Sequence, residues 1–288
     1  AIADYLKVFK LDPKRKYTNN NIAIIYRNYI KDYDKALGYY TKEIELFSEN
    51  STAYRNRGNL YQLILKQYDK ALADYNKAIE LDPKDADNYL YRANLYRANL
   101  EQYDKALADN NKAIELDPEN IRVYIDRSQL YQVLKQYDKA LADQNKVIEL
   151  DPEDSSSYFY KVSIYTVLKE YGKAKDIIKI IRELDPKDPE SYFQLAHIYN
   201  LEKKYTKSLL EITKSIFLLT YPEKNYFISS LDFKTRLSTS DLYKYRAEIY
   251  QKMDEQELMC EDLNLALELS EEEVAQKEIK TLIDNKCN

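Results

Sequence analysis

Few side chains in this sequence have the types and spacing that catalysis or metal binding requires. His197 is the single histidine among 288 residues, so no second imidazole is present to complete a metal site or a catalytic triad. The two cysteines, Cys260 and Cys287, are too few for a disulfide framework and lack metal-ligand spacing. No glycine-rich phosphate loop occurs, and the carboxylates lie in mixed-charge stretches typical of solvated helix faces. The sequence therefore predicts no enzyme, no catalytic residue, no metal and no cofactor.

Arginine and aspartate recur together, with the aspartate 16 or 17 residues after the arginine. Segments that lack the arginine also lack the aspartate, as Lys161 with Ile177 and Leu195 with Glu211 show. The arginines form either a row that binds an acidic ligand or a set of structural ion pairs between two helices. We favour ion pairs, because a paired and partly buried charge has little capacity left for a ligand. The predicted pairs are Arg57–Asp74, Arg92–Asp109, Arg127–Asp143 and Arg246–Asp262.

These pairs belong to a sequence motif that recurs along the chain. A tyrosine, five or six residues, a second tyrosine and then Asp-Lys-Ala-Leu occur at 61–72, 96–107 and 131–141, and each unit closes with Asp-Pro. The closing positions 47, 82, 117, 151 and 185 are 34 or 35 residues apart. A fixed period in this range predicts helical hairpins that stack in series.

Each repeated unit predicts two antiparallel helices. Tyr54 and Tyr61 are seven residues apart, close to two helical turns, so they lie on one stripe of the first helix. Gly58 stands between them, and Ala71 belongs to a second column of small residues in the second helix. Small side chains let the two helices approach closely. Asp-Pro then ends the second helix, because proline lacks an amide hydrogen and disfavours a helical residue before it.

The pattern resembles the tetratricopeptide repeat, and the resemblance covers nearly the whole chain. Tyrosine stands where the family has tryptophan, and the first three repeats carry an extra residue between their helices. The resemblance implies an all-α fold, a right-handed α-solenoid of stacked helical hairpins. At the turn between helices, where the family has glycine, this chain has Lys66, Glu101, Lys135 and Lys169.

The predicted boundaries follow the register of the repeat. A cut repeat at 1–15 is followed by full repeats, and the period is interrupted at 223–239. That interruption is either a docking element at the groove or a longer connector. The full repeats are 16–50, 51–85, 86–120, 121–154, 155–188 and 189–222, with a seventh at 240–273 and a capping helix at 274–288.

In the family that this chain resembles, the first helices line a concave groove, which implies the columns that face a ligand. Asn59, Asn94 and Gln129 fall at one height in three successive repeats, and carboxamides both donate and accept hydrogen bonds. Such a ladder suits the backbone of an extended peptide, while aromatic rings supply side-chain pockets. The predicted peptide-binding residues are Arg55, Asn56, Asn59, Tyr91, Asn94, Arg97, Arg122, Asp126, Gln129, Tyr160 and Ser163.

Some relatives grip a carboxylate with basic residues and asparagine from three repeats. The best frame here offers Arg55, Asn59 and Arg122. Asp126, however, stands where a basic residue is needed and would repel the carboxylate, since an anion site requires fixed positive charge. We therefore expect no carboxylate clamp of this kind.

Composition narrows the partner class. The net charge of −5 argues against nucleic acid, and no apolar run approaches the ~20 residues that span a membrane. We predict a cytoplasmic interaction scaffold whose groove binds an extended or helical peptide segment of another protein. The alternatives are a targeting or regulatory region of a larger multidomain protein, and a module that self-associates through the cut N-terminal repeat. We expect a segment upstream, because Ala1 falls inside a repeat.

Overall fold

The computed structural model describes residues 17–220 and 238–287. The chain divides into two compact units, with the boundary between Leu150 and Asp151. Within the described ranges all regular structure is helical. The predicted cut repeat at 1–15 and nearly all of the predicted interruption at 223–239 lie outside the described residues.

The first unit contains four helical hairpins among its described residues. Helix α1 (Thr18–Ile25) continues as one π-helical turn, Tyr26–Ile30, and pairs with α2 (Tyr33–Leu46). The other three hairpins are α3 (Ser51–Leu63) with α4 (Tyr68–Leu81), α5 (Ala86–Ala98) with α6 (Tyr103–Leu116), and α7 (Ile121–Val133) with α8 (Tyr137–Leu150).

The second unit contains three hairpins and a final helix among its described residues. The hairpins are α9 (Ser155–Val167) with α10 (Tyr171–Leu184), α11 (Pro189–Leu201) with α12 (Tyr205–Thr220), and α13 (Thr239–Lys252) with α14 (Gln256–Leu269). The final helix is α15 (Glu273–Lys286), which packs on α14.

Within each unit, every helix packs against the helix that follows it. An even-numbered helix therefore contacts the odd-numbered helix of its own hairpin and that of the next one. Such nearest-neighbour packing distributes the apolar contacts along the chain instead of gathering them in one central core. The prediction of an all-α solenoid is confirmed.

Small side chains close each hairpin. A methyl group added at Gly58 would lie 2.8 Å from a ring carbon of Tyr75 and 3.3 Å from the carbonyl oxygen of Ala71. Ala71 is fully buried, as are Ala106 and Ala140 at the same place in later repeats. Close helix contact therefore explains both columns of small residues.

The first tyrosine of several repeats ties its helix to the preceding loop. In each case the phenol hydroxyl donates to the carbonyl oxygen of the proline six residues earlier. A tyrosine can therefore be partly buried while its polar end stays hydrogen-bonded. The four bonds are Tyr89 to Pro83 (3.2 Å), Tyr124 to Pro118 (3.1 Å), Tyr158 to Pro152 (3.3 Å) and Tyr192 to Pro186 (3.0 Å).

The extra residue of the early repeats is accommodated in the last turn of the first helix. In the fourth repeat the amide of Gln136 donates to the carbonyl of Tyr131 (2.8 Å), five residues back, as in a Schellman motif. In the second repeat the equivalent bond runs from Gln67 to Tyr61 (2.9 Å), six residues back. The longer ring widens the end of the helix and leaves the hairpin intact.

Both forms of this turn place a non-glycine residue in the left-handed backbone region. Lys135 has a φ of 56° and is exposed. We expect Lys135→Gly to raise the free energy of unfolding by about 0.5–1 kcal/mol, because glycine adopts positive φ without steric cost. Urea unfolding checks this. Ala142→Gly, at an exposed position inside α8, should instead lower stability by about 1 kcal/mol, and stabilisation by both changes would contradict the explanation.

Candidate functional site

The odd-numbered helices of the first unit form a continuous surface of polar side chains. Helix α3 contacts α5 directly, and α5 contacts α7, in addition to the even-numbered helices between them. We call this surface the first-helix face. It is defined by Arg27, Arg55, Asn59, Gln62, Tyr91, Asn94, Arg97, Arg122 and Asp126.

Side-chain hydrogen bonds join successive odd-numbered helices across this face. Arg27 Nη1 donates to Asn59 Oδ1 at 2.7 Å, which links the π-helical turn after α1 to α3. Gln62 Nε2 donates to Asn94 Oδ1 at 3.0 Å, which links α3 to α5. The predicted ladder residues Asn59 and Asn94 are therefore already bonded to the repeat before them.

The side chain of Asp126 on α7 accepts hydrogen bonds from residues of both α5 and α6. Its Oδ1 accepts from Arg97 Nη2 at 2.8 Å and from Asn94 Nδ2 at 3.2 Å, and its Oδ2 accepts from Asn110 Nδ2 at 2.9 Å. Only 8% of the side chain is exposed. We expected the charge of Asp126 to repel a carboxylate. In the structure this charge is buried and is compensated by Arg97, so the reason for that expectation does not hold.

Two arginines lie against the ring of Tyr91, with different degrees of exposure. Arg55 lies 5.7 Å from the ring centroid, bonds to Asp85 and Asn88, and is 13% exposed in its side chain. Arg122 lies 5.4 Å from the same ring but is 55% exposed. The nearest contacts of its guanidinium are the Tyr91 hydroxyl at 3.5 Å and Asp87 Oδ1 at 3.6 Å. Arg122 is therefore stacked on Tyr91 while more than half of its side chain stays exposed.

The remaining predicted peptide-binding residues are Asn56, Gln129, Tyr160 and Ser163. Asn56 donates to Asn20 at 2.9 Å and so bonds to α1. Gln129 is half-buried on α7. Tyr160 and Ser163 lie on α9 in the second unit, the first half-buried and the second exposed.

Two residues outside the predicted peptide-binding set organise the face. Gln62 accepts from the Tyr75 hydroxyl at 2.8 Å while it donates to Asn94, so it connects α4, α3 and α5. Asn110 reaches Asp126 from α6. For Asn110 the sequence did contain a signal. It is a polar residue at the position of the second helix where the preceding repeat has Tyr75.

The four predicted arginine–aspartate pairs lie at hydrogen-bond distance in the structure. In each, Nε and Nη2 bond to the two carboxylate oxygens, and the guanidinium lies between the two tyrosines of its helix. Both the edge and the faces of the arginine are thus occupied, which leaves no open row for an acidic ligand. The shortest contacts are Arg57–Asp74 at 2.8 Å, Arg92–Asp109 at 2.8 Å, Arg127–Asp143 at 2.6 Å and Arg246–Asp262 at 2.7 Å.

Comparison with known proteins identifies the repeat. Two family models match: one described as TPR repeat over residues 63–99, and one described as Tetratricopeptide repeat over residues 86–120 and 121–154. The solved structure of a tetratricopeptide repeat protein from Parabacteroides merdae shares 18% identity with this chain. The match has a TM-score of 0.62 and covers 96% of this chain and 98% of that one. Residues 63–154 of this chain form tetratricopeptide repeats.

Other solved structures are similar in fold. PilF of Pseudomonas aeruginosa matches with a TM-score of 0.55 and 17% identity over 81% of this chain and 98% of its own chain. The APC/C hetero-tetramer Cut9–Hcn1 matches with a TM-score of 0.59 and 15% identity over 97% of this chain and 51% of that chain. At these identities the likeness shows the fold alone. No curated protein sequence matches.

The second unit of this protein has its own polar cluster between α11 and α13. The Tyr245 hydroxyl accepts from Asn200 Nδ2 at 2.8 Å and lies 3.1 Å from His197 Nδ1. Phe193 meets the Tyr245 ring edge-on at 5.3 Å. Burial lowers the pKa of His197, and the positive charge of Lys252 lowers it further. A neutral, hydrogen-bonded histidine is consistent with a packing role in this protein.

Cys260 and Cys287 form a single disulfide, a bond that the sequence did not predict. The bond joins α14 to the residue that follows α15. Ile279 of α15 is 1% exposed and packs with Met259 and Leu263 of α14. The sequence predicted a capping helix at 274–288, but the separation of 27 residues did not indicate that its end would bring Cys287 next to Cys260. Across residues 17–220 and 238–287, no group of three or more His, Cys, Asp or Glu side chains is placed to hold a metal.

Proposed function

We propose that this protein is an interaction scaffold whose first-helix face binds an extended or helical segment of a partner protein. The repeat and its fold support the scaffold role. The observation that carries the finer proposal is Arg122, an exposed arginine whose guanidinium is stacked on Tyr91. Arginine and tyrosine in such a setting are typical of residues that contribute most to binding.

The internal bonds of the face support peptide binding and do not compete with it. An asparagine side chain has two N–H donors and an oxygen with two lone pairs. Asn94 uses one donor on Asp126 and one lone pair on Gln62, so one of each is available to a peptide backbone. The same bonds restrain the side chain, which lowers the entropy that binding must remove.

Reversal of one charge tests the proposal. Arg122→Glu should lower the recovery of the partner by about ten-fold or more, because it replaces an exposed cation stacked on Tyr91 with an anion. The measurement is quantitative mass spectrometry of proteins captured from extracts of the source cells on immobilised protein. Thermal unfolding should change little, since an exposed ion pair contributes about 0–1 kcal/mol.

A matched variant controls for net charge. Lys139→Glu makes the same change on α8, where Lys139 is exposed. It should retain the partner that Arg122→Glu loses. If the two variants recover the partner equally, the first-helix face is not the binding site.

The alternatives and the cellular location stay predictions. Self-association through the cut repeat involves residues 1–15, which lie outside the described ranges. None of the described helices combines the length and hydropathy needed to cross a bilayer. The disulfide between Cys260 and Cys287 weighs against the predicted cytoplasm, because disulfides persist mainly in oxidising compartments.

A further inference from the structure

Helices α13, α14 and α15 line a small, partly open cavity at the C-terminal end of the second unit, with a volume of about 60 Å³. Ala247, Met259 and Leu263 contribute buried apolar surface, and Leu282 of α15 completes that part of the wall. The rest of the lining is polar and more exposed, and includes Glu248. An apolar interior behind a polar rim is the usual construction of a site for part of a ligand.

The volume limits what the cavity can take. Cofactors and whole small-molecule ligands occupy pockets of at least about 300 Å³, so this cavity is too small for them. An apolar cavity of about 150 Å³ accommodates benzene, which is more than twice this volume. A cavity of about 60 Å³ therefore has room for only part of a ligand, such as one aliphatic side chain.

The rim favours a negative charge next to that aliphatic group. The lining contains two lysines, Lys244 and Lys286, and one glutamate, Glu248, and the charge of Lys244 is offset by Glu278 outside the lining. Lys244 Nζ lies 3.5 Å from Glu278 Oε2. Lys286 Nζ donates to the neutral amide oxygen of Gln251 at 2.7 Å, and among the residues placed by the structure no carboxylate lies within ion-pair distance of it. A carboxylate from a ligand would supply the missing counter-charge.

The geometry points to a side-chain pocket that binds an aliphatic residue flanked by a carboxylate, in a segment of a partner protein, with α15 as the wall held by the Cys260–Cys287 disulfide. Leu282 and Lys286 both belong to α15, so the pocket exists only while that helix stays docked. Docking depends on Ile279, on the bond from Gln256 Nε2 to the Lys286 carbonyl (2.9 Å) and on the disulfide. This site lies outside the first-helix face and is tested independently of it.

The two methionines allow a direct assay. Met259 lines the cavity, whereas Met253 packs with Ile216 and Ile249 away from it. In protein labelled with ¹³C at the methionine methyl groups, N-acetylleucine should shift the Met259 resonance saturably, with a dissociation constant in the millimolar range expected for a ligand of this size. The Met253 resonance should stay in place and reports that the fold is intact.

Two ligand comparisons separate the role of the aliphatic group from that of the carboxylate. N-acetylalanine should bind at least about ten-fold more weakly, because it lacks most of the aliphatic group. N-acetylleucine amide should bind several-fold more weakly, because it lacks the carboxylate. An equal response to N-acetylalanine, or no saturable response to N-acetylleucine, would overturn the pocket. Equal binding of the amide would overturn the role of the carboxylate.

Protein variants test the walls. Leu282→Trp should fill the cavity and abolish the Met259 response, whereas Thr281→Trp, at an exposed position on the same helix, should leave it unchanged. Excess dithiothreitol transfers two electrons and two protons to the disulfide, leaves two protein thiols and becomes a cyclic disulfide. Reduction, like Cys260→Ser with Cys287→Ser, should weaken N-acetylleucine binding at least about three-fold. Unchanged binding of N-acetylleucine after reduction would contradict the proposal that the disulfide holds α15 in place as a wall of the cavity.

Discussion

Arg92→Leu is expected to lower the free energy of unfolding by about 3 kcal/mol, because it leaves the carboxylate of Asp109 buried without its partner. The side chain of Asp109 is 9% exposed, and both of its oxygens accept from Arg92 at 2.8 Å. Arg92 Nη1 also donates to Asn76 at 2.7 Å, and the guanidinium lies between the rings of Tyr89 and Tyr96. Urea unfolding followed by circular dichroism measures the loss.

The double variant Arg92→Leu/Asp109→Ile should recover most of that stability. The chain already contains repeats without the pair: Leu195 occupies the arginine position in the sixth repeat, and Ile177 the aspartate position in the fifth. Replacing a buried ion pair with apolar side chains of similar volume is often close to neutral. The double-mutant cycle should therefore give a coupling energy of about 2 kcal/mol or more.

An exposed pair of the same repeat is the control for this cycle. Lys112 and Glu115 lie 2.9 Å apart on α6 and are 40% and 69% exposed. Replacing them with alanine, singly and together, should give a coupling of about 0.5 kcal/mol or less. Comparable coupling in the two cycles would mean that the Arg92–Asp109 pair behaves as a surface ion pair. A double variant as unstable as Arg92→Leu would mean that the two tyrosines require the guanidinium between them.

The contacts that the sequence predicted are those that recur once per repeat. Arg57 and Asp74 can be matched because the chain contains the same pair three more times and lacks both members elsewhere. The column of small residues at Gly58 and Ala71 was recoverable for the same reason. Repetition inside one chain takes the place of comparison between chains, and a nearest-neighbour architecture makes such repetition informative.

The contacts that the sequence did not predict occur once. The bonds from Arg27 to Asn59, from Gln62 to Asn94 and from Arg97 to Asp126 use similar positions but a different chemical pair each time. No pattern that recurs at one position of the repeat reveals these bonds. The sequence therefore did not show that Asn59 and Asn94 are already bonded to the preceding repeat. The disulfide was missed for a related reason, since it depends on α15 turning back onto α14 at a place where the repeat has ended.

Glu190→Gln is expected to stabilise the protein at high pH and to have little effect at low pH. Burial raises the pKa of Glu190 from 4.5 to about 7, while Gln194, which donates to the carboxylate at 2.6 Å, opposes the shift. The negative charge of Asp188 raises it further. The folded state therefore binds the Glu190 proton more tightly than the unfolded state, and stability declines as pH rises from about 4.5 to about 7.

The size of that decline sets the expected result. A shift from 4.5 to about 7 corresponds to roughly 3 kcal/mol lost once Glu190 is ionised in the folded state. Glutamine retains the acceptor for Gln194 and carries no charge, so the variant should gain about 2–3 kcal/mol at pH 8 and about zero at pH 4. A smaller decline should persist in the variant, because burial also raises the pKa of Asp188, to about 6.

Urea unfolding at pH 4, 6 and 8 distinguishes this cause from a general charge effect. Glu183→Gln removes the same charge from α10, where the side chain is 67% exposed, and should change stability by less than about 0.5 kcal/mol at each pH. A gain for Glu190→Gln that is equal at pH 4 and pH 8 would mean that the carboxylate is not held protonated by its surroundings. If the gain appears only at the higher pH, the ionisation of Glu190 near the start of α11 opposes folding, and the contribution of this group to stability is largest below about pH 4.5.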